Sequence, residues 1–198
     1  MDAKFWNERY SGSDLVWTDR PNIFVERETA DLTPGTVLDL AAGEGRNAIW
    51  LAERGWKATA ADFSTAGLEK GRALAAQRGV EVSFVEADAT AFVPTETYDL
   101  VMVIYLQLPE DQRTAALDRA LQSVAPGGSL LVVAHDLDNL TEGIGGPQDP
   151  SVLYRVNEIV ALAEAAGFSV VVAEQAHRSV ETPEGPRDAI DTVVRVRR

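Results

Sequence analysis

Short apolar runs recur along this chain, and stretches of helical period separate them. From residue 36 the runs cover residues 36–40, 57–61, 80–85, 98–104 and 129–134. β-rich runs this short, with roughly 10–15 helical residues between them, predict a parallel sheet with helices on both faces. Leu117, Ala120, Leu121 and Val124 fall at i, i+3, i+4 and i+7, one buried stripe of a helix. Pro109 suits the first turn of that helix, and Pro126-Gly127-Gly128 stops it. Ile159, Leu162, Ala163 and Ala166 repeat the spacing, and Gly167 ends their helix. Ser64 is placed to cap a helix reaching Gln77, with Gly79 just beyond, and Arg54-Gly55 ends the helix after the first strand.

The last third of the chain leaves this alternation. Residues 168–176 and 189–196 both read as strands, and no helical pattern lies between them. The connecting segment contains Pro183, Gly185 and Pro186, which are turn residues. Two strands joined in this way form a hairpin, so one runs antiparallel to the rest. Residues 138–150 hold three glycines and two prolines and predict a loop above the sheet. The expected fold is α/β, a three-layer sandwich on a seven-stranded, mostly parallel sheet with an antiparallel final strand. A length of 198 residues suits one domain over 1–198, with an N-terminal helical cap at 1–35, helical near 4–10 and 22–31, and a core at 36–198.

Composition narrows the chemistry. Cysteine is absent, which removes disulfides, thiolate metal sites and a cysteine nucleophile, and His135 and His177 are the only histidines. We therefore expect no metal. The formal net charge is −13, and a small basic cluster stands only at the end, at Arg195, Arg197 and Arg198. A nucleic-acid binder normally presents a basic face, so no nucleic-acid partner is expected. No apolar run is long enough to span a bilayer, and the N-terminal residues lack a basic start with an apolar stretch. The expectation is a cytoplasmic protein with no membrane partner. No helix shows an unpaired apolar face that would set an oligomeric state.

The most informative stretch is Val37-Leu38-Asp39-Leu40-Ala41-Ala42-Gly43-Glu44-Gly45-Arg46-Asn47-Ala48, a strand, a turn of small residues and a helix start. Ligands of open α/β sheets sit beyond the carboxyl ends of the strands, and small residues there admit a ligand close to the backbone. The glycine spacing also fits the dinucleotide fingerprint, or a turn that merely packs strand on helix. Asp62 ends the second strand, where a carboxylate can accept both hydroxyls of a ribose, or simply favour the helix start that follows. Asp88 follows the third strand, where it can accept an exocyclic amine of adenine, or serve an exposed turn. Three such signals at successive strand ends of one βαβαβ unit point to a nucleoside-bearing ligand.

Residues 37–47 resemble the first motif of the class I S-adenosylmethionine-dependent methyltransferases, with Ala41 where that motif usually has its first glycine. Asp62 matches the family's ribose-binding acid and Asp88-Ala89 its adenine-binding pair. Tyr98-Asp99-Leu100-Val101 resembles its fourth-strand motif, Pro126-Gly127-Gly128-Ser129 the turn before its fifth strand, and the closing hairpin its reversed final strand. The resemblance covers roughly residues 30–198 and implies a Rossmann-like fold with S-adenosylmethionine as cofactor. Within the class, Trp6-Asn7-Glu8-Arg9-Tyr10, Trp17 and Arg20-Pro21-Asn22 look like the N-terminal region of the branch related to tellurite-resistance and thiopurine methyltransferases. There, aromatic and basic residues close over the cofactor, which marks Arg9, Tyr10 and Trp17 as a lid. Alternatively, Trp6 and Tyr10, at i and i+4, staple a helix to the core.

The resemblance implies a cofactor site of Asp39, Ala41, Ala42, Gly43, Glu44, Gly45, Asn47, Asp62, Phe63, Asp88, Ala89, Ile104 and Tyr105. In it Phe63 packs on adenine, and Ile104 and Tyr105 lie near the sulfonium. The acceptor side is less defined. Residues 104–109, Ile-Tyr-Leu-Gln-Leu-Pro, lack the Asn/Asp-Pro-Pro-aromatic motif of amino-methylating DNA enzymes, so a small-molecule acceptor is expected. Tyr105 and His135 are the candidate catalytic residues, His135 as a general base or as a hydrogen-bonded strand-end histidine. Trp17, Tyr105 and Tyr154 are candidates to line a pocket. The same loop admits two other functions, an NAD-dependent oxidoreductase and a non-catalytic nucleotide- or partner-binding module.

Overall fold

The computed structural model describes residues 3–12 and 14–198. Its strands are β1 (Thr36–Leu40), β2 (Lys57–Asp62), β3 (Val82–Glu86), β4 (Tyr98–Ile104), β5 (Val124–His135), β6 (Ser169–Val180) and β7 (Arg187–Arg197). Its helices are α1 (Ala3–Tyr10), α2 (Ile23–Thr29), α3 (Arg46–Ala52), α4 (Thr65–Arg78), α5 (Glu110–Gln122), α6 (Asn139–Glu142) and α7 (Val156–Ala165). One sheet runs in the order β3-β2-β1-β4-β5-β7-β6. β1 to β5 are mutually parallel, and β7 is antiparallel to both of its neighbours. The antiparallel final strand expected from the hairpin is therefore present.

Side chains alternate across a strand, so β1 feeds two cores. Val37 packs with Phe24 and Val25 of α2 and with Ala48 and Leu51 of α3. Leu38 and Leu40 pack with Ala116, Leu117, Ala120 and Leu121 of α5 and with Ile159 and Ala163 of α7. The result is three layers. Arg195 fastens α2 to the outer sheet: its guanidinium donates to Glu28 O at 2.8 Å and to both Asp31 carboxylate oxygens at 2.9 and 3.2 Å. This residue, part of the basic cluster in the sequence, is thus buried in an ion pair, and Arg198 donates to Val124 O at 2.6 Å.

Local chemistry sets most element ends. The Ser64 hydroxyl accepts from Gly67 N at 3.2 Å and caps α4, and left-handed Gly79 (φ 68°) closes it. Asn22 caps α2 through Phe24 N. Several boundaries differ from the sequence reading, and Val124, expected on the helix stripe, instead opens β5. Pro109 precedes α5 instead of lying in its first turn. Pro126-Gly127-Gly128 falls within β5, in the irregular stretch where pairing with β4 jumps between Tyr98 and Leu100. Residues 138–150 carry α6, because Asn139 binds the segment down, its Oδ1 accepting from Ile190 N at 2.7 Å and its Nδ2 donating to Gly145 O at 2.9 Å. Among the described residues no helix is long and apolar enough to cross a membrane.

Candidate active site

Chain order reverses between β1 and β4, and the crevice beyond the carboxyl ends of those strands is where open sheets of this kind take ligands. The loop leaving β1 bends sharply there. Ala41 (φ 64°), Gly43 (φ 58°) and Gly45 (φ 71°) are all left-handed. Glycine adopts this freely, whereas alanine at Ala41 costs about 1–2 kcal/mol, strain of the kind concentrated at functional sites. α4 packs hard on the loop. A Cβ on Gly67 would sit 3.0 Å from Gly43 O, and one on Gly71 2.8 Å from Glu44 O. The approach leaves no room for a side chain at Gly71 and little at Gly67, one turn before it.

Two carboxylates flank the loop from below. Asp39, on the α3 side of β1, is fully buried, and burial pushes its carboxyl up to about 7. The backbone N–H of Ala48 donates to it, while its Oδ2 has no partner. Asp62 is 5% exposed. Its Oδ2 accepts from Gly43 N and its Oδ1 from Ser64 N, both at 2.8 Å, and burial raises its pKa as well. The Phe63 backbone N–H donates to it as well, which leaves the carboxylate one further lone pair.

The other expected residues gather at the same edge, in different postures. Asp88 is exposed, and its Oδ1 accepts from the Thr90 amide and hydroxyl at 2.8 Å, so it builds its own turn as well as bordering the site. Ala89 is buried and Phe63 half-buried. Ala42 N donates to Ala61 O, tying the loop to β2. Glu44 and Asn47 turn their side chains elsewhere: Glu44 accepts from Val16 N at 3.0 Å and Trp17 N at 3.2 Å, and Asn47 Oδ1 accepts from Asn22 N at 2.9 Å.

The N-terminal segment is folded over this loop. Tyr10 is buried, its hydroxyl pushed up to about 12 by that burial, and it lies so close that a Cβ on Gly43 would meet its oxygen at 2.5 Å. Trp17 Nε1 donates to the same oxygen at 3.1 Å, and the Arg9 guanidinium lies 5.4 Å from the Trp17 ring centroid. Trp6 stacks on Tyr10 at 5.7 Å, as the staple reading expects. Asn7, which sequence reasoning missed, accepts from the Ser64 hydroxyl and from Ala66 N.

Beyond β4 and β5 stands a second cluster. Ile104 is buried, and Tyr105 is the other left-handed non-glycine residue among those described (φ 56°). Its ring packs on His135 with centroids 4.6 Å apart, and its hydroxyl donates to Asp191 Oδ2 at 3.0 Å. Burial, reinforced by the Asp191 charge, holds this phenol far above its ordinary pKa. Arg178 Nε donates to the same oxygen at 2.8 Å, and His135 Nδ1 lies 3.1 Å from Asp191 Oδ1. Asp191 and Arg178 were not foreseen. The available signal was a carboxylate between Ala189 and Val193 on one face of β7. Tyr154 lies outside the cluster, buried and donating to Leu106 O.

Residues 37–128, from β1 into the start of β5, match the family described as "Methyltransferase domain". A demethylmenaquinone methyltransferase of Thermus thermophilus is 36% identical over 126 residues, 62% of this chain and 55% of that protein. The chain spans about half the length of the curated relatives it matches. TehB from Haemophilus influenzae superposes with a TM-score of 0.74 at 17% identity, covering 99% of this chain and 66% of that one. Magnesium protoporphyrin IX methyltransferase from Synechocystis, solved with bound S-adenosylhomocysteine, gives 0.71 at 16% identity, covering 100% and 94%. Residues 37–128 thus match a methyltransferase domain, and the chain shares the Rossmann-like fold of these solved structures.

Proposed function

We propose that this chain binds S-adenosylmethionine and transfers its methyl group to a small-molecule acceptor in the cytoplasm. The observation that carries the reading is the buried Asp62 carboxylate at the mouth of a left-handed loop. It fixes Gly43 N, Ser64 N and Phe63 N and keeps a lone pair that can receive a ribose hydroxyl. Asp39, supporting β1 where a dinucleotide fold usually has an apolar residue, and the domain match favour this cofactor over NAD. Bound S-adenosylmethionine would supply a methyl group already activated by its sulfonium.

The protein's own task is then to bind, orient and exclude water. Ala41, Ala42, Gly43 and Gly45 offer backbone groups to the methionine part, and Asp62 holds the ribose. Phe63 covers one face of the adenine, and Asp88 with the Ala89 amide meets its edge. Ile104 and Tyr105 border the transfer point. Glu44 and Asn47 act indirectly by holding Val16, Trp17 and Asn22 over the site. Arg9, Tyr10 and Trp17 form the cover, which must shift to admit the cofactor, since Tyr10 lies on Gly43. The net charge of −13 argues against a nucleic-acid acceptor. Incubation with methyl-labelled S-adenosylmethionine and a panel of hydroxylated aromatics, small thiols and amines tests the reading. Label appearing in a small product supports it, and label appearing only on added nucleic acid would overturn the acceptor class.

A further inference from the structure

We infer that His135 is the general base of the acceptor site, held by Asp191 as a positioning residue, and that the acceptor atom is the oxygen of a weakly acidic hydroxyl. This rests on the proposed methyl transfer. Asp191 starts from register: it pairs with His135 on β5 and with Ala176 on β6, and it is fully buried at the carboxyl edge of the sheet. Its Oδ2 is occupied by two donors, the Tyr105 hydroxyl and Arg178 Nε. Its Oδ1 has no hydrogen-bond partner, and neither has His135 Nδ1, yet the two atoms are 3.1 Å apart. Catalytic hydrogen bonds are often long or poorly aligned until a site is filled, and Asp191 Oδ1 faces His135 Nδ1 across this gap.

The ring is fixed on more than one side. Tyr105 packs on it, and Gly146 presses so close that an added Cβ would stand 3.0 Å from Cδ2 and Cγ. With an Nδ1 proton facing Asp191 Oδ1, the lone pair of the neutral imidazole is on Nε2. Tyr105 cannot fill the role, since its phenol is held protonated and already donates to Asp191. In the step, the acceptor hydroxyl gives its proton to Nε2 as its oxygen forms the bond to the methyl carbon. The carbon–sulfur bond breaks with its electron pair staying on sulfur, which loses its positive charge. The imidazolium so formed faces Asp191. A thiolate acceptor would need no such group.

The chain contains two histidines, so the test is self-referenced. Diethyl pyrocarbonate acylates a neutral imidazole nitrogen, and peptide mass mapping follows both residues in one sample. The His135 side chain is 14% exposed and that of His177 63% exposed. A merely structural strand-end histidine would therefore react more slowly than His177. We expect His135 to react at least as fast, and Asp191→Asn to slow it about tenfold while leaving His177 unchanged. Long-range proton–nitrogen spectra of the wild type, taken well above the ordinary imidazole pKa of about 6.5, should show the His135 proton on Nδ1. Slower reaction than His177, an unchanged rate in Asp191→Asn, or a proton on Nε2 would each overturn the assignment. The two wild-type measurements decide the matter if the variant does not fold. Loss of S-adenosylhomocysteine binding by the wild type would instead strike the methyltransferase reading and leave these reactivities unaffected.

Discussion

Replacing Asp39 by Asn should make the stability of this protein less sensitive to pH, and the structure sets the size of the effect. The Asp39 carboxyl is fully buried, accepts one N–H from Ala48 and has an unpartnered Oδ2, and burial raises it from 3.8 to about 7. The folded protein therefore keeps a proton that the unfolded chain gives up. The corresponding stability is fully present below pH 3.8, drains away as pH rises, and is gone above about 7. A displacement of about 3 pH units at 1.36 kcal/mol each amounts to at most ~4 kcal/mol. Asparagine keeps an oxygen for the Ala48 amide and does not titrate. Its amide group replaces an atom that has no partner, which adds an offset independent of pH. Urea unfolding of wild type and variant at about pH 5 and pH 8 isolates the titrating part, because other groups cancel in the difference. The variant should gain on the wild type by about 2–3 kcal/mol between those conditions, most of the total span. A difference that stays constant across this range would refute the reasoning.

Three further substitutions probe other parts of the site. Asp62→Ala should weaken S-adenosylhomocysteine binding by about 2–3 kcal/mol, roughly 30- to 150-fold, measured by calorimetry on the folded variant; a change under about threefold would contradict the ribose assignment. Ala41→Gly relieves left-handed strain of about 1–2 kcal/mol against an added unfolded-chain entropy of about 0.4–1 kcal/mol, so its melting temperature should rise slightly, and a fall would contradict the strain argument. Glu44→Gln loses one of two charge-assisted contacts to the Val16 and Trp17 amides, and limited proteolysis within residues 11–20 should run about tenfold faster. An unchanged rate would show that Glu44 does not hold the cover.

Much of this was legible in the residues, for identifiable reasons. The short apolar runs announced strands, and Ser64, Gly79 and Gly167 announced helix ends, because caps and left-handed turns demand particular side chains. The hairpin was legible because Pro183, Gly185 and Pro186 leave no room for a helix. The glycine loop and Asp62 stood out because small residues after a strand admit a close approach to the backbone, and an acid at a strand end can accept ribose hydroxyls. What escaped was mostly long-range pairing. Nothing local told that Asn7 would cap Ser64, that Asn47 would hold Asn22, or that Arg195 would be buried against Asp31. Asp191 and Arg178 lie far along the chain from Tyr105, and only the register of β5, β7 and β6 brings them together. Gly67 and Gly71 read as ordinary helix residues until the loop they approach is in place.

The central claim is the identity of the bound nucleoside, and separate calorimetric titrations of the purified protein with S-adenosylhomocysteine and with NAD test it most directly. The account predicts micromolar binding of S-adenosylhomocysteine and none of NAD. Binding of NAD alone would contradict it and return the glycine loop to the dinucleotide reading that its spacing also admits.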